Sequence, residues 1–164
     1  LCLAQLNEQL HAVLPPELYA TMFYAVINTD ENTMTYATAA APPPVLLHGW
    51  NRQPEENETG YTLLEGFGLP LAAKSDAPAY QCYTTPFLPG DSLILYSDAL
   101  IETPNEANQF LEIERFCEAL ETLPEHDRRA STILSAIQDT LQHFTDATPE
   151  DDLTINVYTR NDTF

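Results

Sequence analysis

Basic residues are the scarcest chemical class in this sequence. Its 164 residues contain six lysines and arginines against 25 aspartates and glutamates, which gives a formal net charge of −19 at pH 7. Nucleic acids and anionic membrane surfaces are bound through clusters of basic side chains, so this balance argues against both as partners. The charge is compatible with a metal or another cationic ligand, and equally with a very soluble surface.

Cysteines and long apolar runs are also few. The three cysteines, Cys2, Cys82 and Cys117, are odd in number and widely spaced. This predicts buried thiols in a reducing compartment and argues against a disulfide framework or a zinc ribbon. No apolar stretch approaches the roughly 18 residues of a membrane span, and no signal peptide is visible. We therefore expect a cytoplasmic protein that does not act at a membrane.

Motifs for nucleophilic catalysis are missing as well. The sequence contains no G-x-S-x-G pattern, so a serine hydrolase mechanism finds no support. Its four histidines show no metal-ligand spacing and are expected at surface or half-buried positions; they are His11, His48, His126 and His143.

Apolar periodicity predicts helices and strands in separate blocks. Helical spacing predicts an amphipathic helix up to about Leu14 and further helices over about 112–122 and 127–144. A hairpin is predicted around the polar turn Asn28–Asn32. Further strands are predicted within 45–50, 61–66, 79–87, 92–97 and 151–159. This order favours one α+β domain, and no shift in composition divides the chain.

Carboxylates stand at the ends of two of these strands. Asp98 follows "LILYS", and Asp151 and Asp152 precede "LTINVY". Hard divalent cations prefer carboxylate oxygens, so acids from distant segments can converge on one ion. Two other readings stay open: Asp98 caps the following turn, and "TPEDD" is an acidic loop. Glu102 lies one helical turn after Asp98 and is either a third ligand or an acceptor for the amides of the turn.

An ordered series of motifs resembles a known family. The most specific are "PGDSLILYSDALIE" (89–102) and "DDLT" (151–154). Weaker matches precede both of them, at 6–7, 20–47 and 68–72. In this order they resemble the SpoIIE-type branch of the metal-dependent PP2C-like serine/threonine phosphatases, over nearly the whole chain.

The resemblance implies a fold and a chemistry. The fold would be a PP2C-like sandwich of two mainly antiparallel β-sheets flanked by α-helices. In that family two Mn²⁺ or Mg²⁺ ions bridge a water that attacks phosphorus directly, without a phosphoenzyme intermediate. Asp98 and Asp151 match the metal-binding aspartates, and Asp152 stands beside them at the metal site. Gly90 and Asp91 match a tight turn that supports the strand, and Glu102 would brace the turn behind Asp98.

The resemblance also implies a setting. Such domains are commonly the C-terminal output part of bacterial response regulators or stress sensors. Their substrates are often phosphorylated anti-sigma-factor antagonists, so the expected partner is a phosphorylated protein.

Departures from the family pattern leave a second function open. The family's Asp-x-x-Gly-His-Gly segment is absent, and the sequence starts within a helical pattern at Leu1. We therefore expect residues 1–164 to be a fragment that lacks the first strands and their metal-binding motif. Alanines replace the glycines of the family's "AGH", "TDG" and "PLG"; they are Ala40, Ala99 and Ala72. These changes favour a catalytically degenerate adaptor that binds a sigma-factor pathway partner.

Overall fold

The structure is a computed structural model that describes residues 2–49, 59–74, 79–124, 127–149 and 151–161. His126 and the whole segment 50–58 therefore lie outside the described residues. The helices are α1 (Cys2–Val13), α2 (Ala99–Glu102), α3 (Ile113–Glu121) and α4 (Ala130–Phe144). The strands are β1 (Met22–Asn28), β2 (Thr33–Ala39), β3 (Val45–Leu47), β4 (Tyr61–Leu63), β5 (Tyr83–Pro86), β6 (Ser92–Tyr96) and β7 (Ile155–Thr159).

The α+β class predicted from the sequence is confirmed. The described strands form two sheets, ordered β1-β2-β5 and β4-β3-β6-β7, and every strand pair within them is antiparallel. The hairpin at Asn28–Asn32 forms as predicted, with β1 and β2 paired from Met22↔Ala39 to Asn28↔Thr33. The short helix α2 was not predicted as an element, because four residues are too few to show helical periodicity.

The chain divides into two compact units. The first unit consists of Leu1–Pro43 and Glu65–Phe87, and the second of Pro44–Leu64 and Leu88–Phe164. Each unit takes two separate segments of the chain. Composition along the sequence could not reveal this division, because neighbouring segments alternate between the units.

In the first unit, α1 packs on the sheet formed by β1, β2 and β5. In the core of this unit, Leu3 of the helix packs with Ala37, Ala39, Leu71 and Tyr80. The side chain of Asn7 is 3% exposed and binds the segment that follows Leu71. Its oxygen accepts a hydrogen bond from the Ala72 amide at 2.9 Å, and its nitrogen donates to the Lys74 carbonyl at 2.9 Å.

In the second unit, α3 and α4 cover the sheet formed by β4, β3, β6 and β7. Strand β6 is buried along nearly its whole length, as its continuous apolar run predicts. The core contains Ile94 and Tyr96 from this strand, and the ring of Tyr96 meets Phe116 edge to face with centroids 5.7 Å apart.

A tight turn leads into β6. Gly90 has φ of 91°, a left-handed conformation that favours glycine. The carboxylate of Asp91 is fully buried and accepts hydrogen bonds from the amides of Gly49 and Leu88, both at 2.8 Å. These bonds fix where the strand begins. A Cβ at Gly49 would lie 2.4 Å from the carbonyl carbon of Gly90, so the two backbones meet only because this residue is glycine.

The prediction that all three cysteines are buried is wrong for two of them. Cys2 and Cys82 are exposed, since one stands at the start of α1 and the other just before β5, outside both hydrophobic cores. Cys117 is buried in the core of the second unit. Its burial raises the pKa of the thiol to about 12, with a smaller contribution from Glu114. Among the described helices, none combines the length and hydropathy needed to cross a membrane.

Two of the three alanines that replace family glycines have left-handed backbones. Ala40 has φ of 54° and Ala72 φ of 69°. This conformation costs an L-residue about 1–2 kcal/mol, because its Cβ crowds the following carbonyl oxygen. Ala99 begins α2 and is not among the residues with positive φ, so its substitution carries no such strain.

We predict that Ala40→Gly raises the free energy of unfolding by about 1 kcal/mol, because Ala40 is exposed and loses only its strain. Ala72→Gly should gain less, since Ala72 is 5% exposed and its buried methyl contributes about 0.8 kcal/mol. Ala99→Gly is the matched control and should lower stability by about 1 kcal/mol or more. Urea unfolding of the four proteins measures this, and a loss of stability in Ala40→Gly would contradict it.

Candidate metal centre

Strand β6 carries Asp98 to the surface at its end. Two residues after the buried Tyr96, Asp98 becomes the N-cap of α2, and its side chain accepts a hydrogen bond from the Ala99 amide at 3.0 Å. Its carbonyl accepts from the amides of Ile101 and Glu102, both at 2.9 Å. The capping alternative therefore describes the structure, but Asp98 remains exposed and one of its oxygens has no part in the cap.

Ser97 joins the end of β6 to the segment that precedes β7. The two strands pair as far as Tyr96↔Ile155, and the Ser97 amide continues the ladder to the Thr154 carbonyl at 2.9 Å. The Ser97 hydroxyl donates to the Asp152 carbonyl and accepts from the Thr154 amide, both at 2.9 Å. Three hydrogen bonds thus hold residues 152–154 beside Asp98.

This arrangement places Asp98, Glu102 and Asp151 around one cavity of about 450 Å³. All three carboxylates belong to exposed residues. The carboxylate of Asp151 also accepts a hydrogen bond from the Asp152 amide at 2.7 Å. Asp152 itself is not among the lining residues; its carbonyl binds Ser97. The remaining lining is apolar or hydroxylic: Ala99, Thr103, Pro104, Phe110, Ala147 and Thr148.

The charged residues that line this cavity are all negative. The lining contains three carboxylates and, among its described residues, no lysine, arginine or histidine. Like charges a few ångströms apart repel each other, and a phosphate group would add to that repulsion. A bound divalent cation reverses the sign of the local field, and carboxylate oxygens are ligands that Mg²⁺ and Mn²⁺ prefer.

The donor set fits an ion held by few protein ligands. Among the described residues, no three side chains of His, Cys, Asp or Glu are grouped closely enough to hold a metal. Mg²⁺ commonly keeps several waters and takes only one or two carboxylates, so Asp98 and Asp151 satisfy this requirement. The residues present do not fit a site closed by protein ligands alone.

The predicted site residues fall into two places. Asp98, Asp151 and Glu102 line the cavity, and Asp152 stands at its border. Gly90 and Asp91 lie at the opposite end of β6, in the turn that begins it. The backbone amide of Ala99, the first residue of α2, donates its hydrogen bond to the carboxylate of Asp98 and not to that of Glu102.

The role of Ser97 was not predicted from the sequence. Its position between a buried strand and an aspartate could have indicated that role, because a hydroxyl there can form hydrogen bonds to a neighbouring strand. Which strand would receive those bonds depends on the β6–β7 pairing, and this is not visible in the sequence.

The sequence of this chain is similar to those of known proteins. The family model described as Stage II sporulation protein E (SpoIIE) matches residues 2–161. The phosphoserine phosphatase RsbU of Bacillus subtilis (strain 168) is 31% identical over 159 residues. That alignment covers 96% of this chain and 44% of RsbU, so the chain spans less than half of this relative.

Solved structures show the same fold. The SiaA-PP2C domain of Pseudomonas aeruginosa superposes with a TM-score of 0.71 at 18% identity, covering 98% of this chain and 59% of that one. The phosphatase domain of SpoIIE from Bacillus subtilis, presoaked with Mn, gives a TM-score of 0.63 at 14% identity, covering 95% of this chain and 64% of that one. Two antiparallel sheets with flanking helices are therefore the fold of PP2C phosphatase domains.

We predict that Ser97→Ala releases the segment before β7. The variant loses both hydrogen bonds of the hydroxyl, and we expect a loss of about 1–2 kcal/mol in stability. The Thr154 amide should exchange its hydrogen at least about tenfold faster, because its acceptor is gone. Hydrogen exchange followed by NMR measures this. Ser97→Thr keeps a hydroxyl and is the matched control; equal protection of Thr154 in Ser97→Ala would contradict the role of Ser97.

Proposed function

Since its match extends over residues 2–161, this chain belongs to the SpoIIE family, and we propose that it is part of a metal-dependent protein phosphatase. The reaction is hydrolysis of phosphoserine or phosphothreonine in a protein substrate. We further propose that the enzyme acts in bacterial signalling.

One observation carries the proposal: Asp98 and Asp151 line the same cavity although they stand 53 positions apart along the chain. The β6–β7 ladder and the Ser97 hydroxyl bring the two segments together. A fold under no functional demand has no need to expose one carboxylate where the buried strand β6 ends and another in the segment that leads into β7. Their survival supports an enzyme over a purely structural domain.

The chain's own residues would hold the metal and orient the substrate. Asp98 and Asp151 offer carboxylate oxygens to Mn²⁺ or Mg²⁺, and Glu102 lines the same cavity. Asp152 supports Asp151, because its amide donates to that carboxylate at 2.7 Å. When bound, such ions lower the pKa of a coordinated water and neutralise the charge of the phosphate. The helix cap and the Ser97 bonds keep both aspartates in place throughout.

The protein substrate and the cellular context are proposed from the properties of the family. A phosphorylated anti-sigma-factor antagonist is the proposed substrate, and the C-terminal output part of a cytoplasmic response regulator is the proposed context. We also propose that residues 1–164 are one part of the phosphatase domain, because the chain spans 64% of the solved SpoIIE phosphatase domain. The remaining part would supply the further metal ligands.

A degenerate adaptor is the second candidate, and two observations favour it. The described residues do not group three metal-ligating side chains. Ala40 and Ala72 occupy left-handed backbone positions where the family pattern has glycine. An adaptor would bind a sigma-factor pathway partner without turnover.

The test is phosphate release from a phosphoserine protein by the longest natural protein that contains these residues. We predict turnover that requires Mn²⁺ or Mg²⁺ and disappears on chelation. Asp98→Asn should lower it at least about a hundredfold, because the amide removes a charged ligand. Asp139→Asn is the matched control, since Asp139 is an exposed aspartate of α4 outside the cavity, and it should retain full turnover.

Two results would contradict the enzyme. Equal turnover in Asp98→Asn and the natural protein would remove Asp98 from the site. A folded, complete protein without turnover in any divalent metal would leave the adaptor as the function, and its partner would then be sought by binding.

A further inference from the structure

Phe110 is a large apolar side chain that is 57% exposed, and it lines the cavity of Asp98 and Asp151. Full burial of a phenylalanine stabilises a fold, and this residue forgoes much of that gain. Single exposed apolar residues are common on protein surfaces. This one differs by its place, because it stands beside the carboxylates of the candidate site.

The loop before Phe110 is closed on itself by hydrogen bonds. The side-chain oxygen of Asn105 accepts from the amides of Ala107 at 3.0 Å and Gln109 at 2.9 Å. The Asn105 amide donates to the Gln109 carbonyl at 2.9 Å. Directly after Phe110, Leu111 is 2% exposed and belongs to the core of the second unit. The backbone of Phe110 is thus held between a closed loop and a core residue.

Two further apolar residues of the lining are held by hydrogen bonds as well. The Thr145 hydroxyl donates to the Pro104 carbonyl at 2.9 Å and accepts from the Ala147 amide at 3.0 Å. Pro104 and Ala147 both line the cavity. One hydroxyl therefore connects two stretches of chain that are about 40 residues apart, and each stretch supplies an apolar residue to the lining in addition to Phe110.

We propose that Pro104, Phe110 and Ala147 bind an apolar side chain next to the phosphorylated serine or threonine of the protein substrate. The inference rests on the proposed phosphatase function and adds a specificity determinant to it. The cavity of about 450 Å³ is within the range of binding sites that enclose more than a phosphate group. Its carboxylate side would take the reacting group through the metal, which leaves the apolar wall for the neighbouring residue.

The test compares three short phosphoserine peptides that differ only in the residue next to phosphoserine: leucine, glycine or lysine. With the longest natural protein, we expect a KM about tenfold lower for the leucine peptide than for the glycine peptide. Phe110→Ala should remove this difference by raising the KM for the leucine peptide about tenfold, with kcat changed less than about twofold. Ten-fold changes are typical when one buried apolar contact is lost.

Phe67→Ala is the matched control. Phe67 is 68% exposed and is not among the residues that line the cavity, so this variant should keep the preference for leucine. Circular dichroism of both variants checks that each remains folded. Equal KM values for the leucine and glycine peptides in the natural protein would overturn the proposal while leaving the phosphatase function intact. A preference for the lysine peptide that Phe110→Ala does not change would also overturn it and assign specificity to the carboxylates.

If the protein shows no turnover, peptide binding can still test the apolar subsite separately from the phosphatase function. Fluorescence anisotropy of the labelled peptides then measures affinity directly. Tighter binding of the leucine peptide that Phe110→Ala abolishes would retain the apolar subsite in a non-catalytic protein. Equal binding of the leucine and glycine peptides would overturn the subsite.

Discussion

The candidate site depends on the pairing of β6 with β7. That ladder aligns Tyr96 with Ile155, and Ser97 extends it by three further hydrogen bonds. Without it, Asp98 and Asp151 would belong to unrelated surface segments, since each residue on its own is an exposed acid. The buried run of β6 fixes the strand in the core, so the position of Asp98 follows from hydrophobic burial, while the position of Asp151 follows from backbone pairing.

Much of the fold was predictable because its elements have strong local signals. The continuous apolar run of β6, the polar turn between β1 and β2, and the helical spacing of α3 and α4 each specify one conformation. Features that depend on distant contacts were not predictable. The two units take alternating segments of the chain, and Cys2 and Cys82 lie outside the cores although cysteine is usually a buried residue.

Two acids of the candidate site could be chosen from the sequence, but the residues around them could not. Asp98 ends a continuous apolar run, and Asp151 begins an acidic pair that precedes another apolar run, which is unusual for purely structural strands. Their role as metal ligands stays a prediction. The two hydrogen bonds of the Ser97 hydroxyl could not be predicted, because they join segments that are distant in the sequence. The exposure of Phe110 in the cavity lined by these acids could not be predicted either, because it depends on the folded chain. The strain at Ala40 and Ala72 is similar: the sequence shows a missing glycine, and only the backbone angle shows that its loss has a cost.

We propose that Asp98 and Asp151 hold one metal site. This can be tested by anomalous diffraction at the manganese edge, with crystals of the longest natural protein containing these residues grown in Mn²⁺. We expect a manganese peak within about 2.6 Å of a carboxylate oxygen of Asp98 and of Asp151. A folded protein with manganese bound only elsewhere, or with both aspartates free of metal at saturating Mn²⁺, would contradict it.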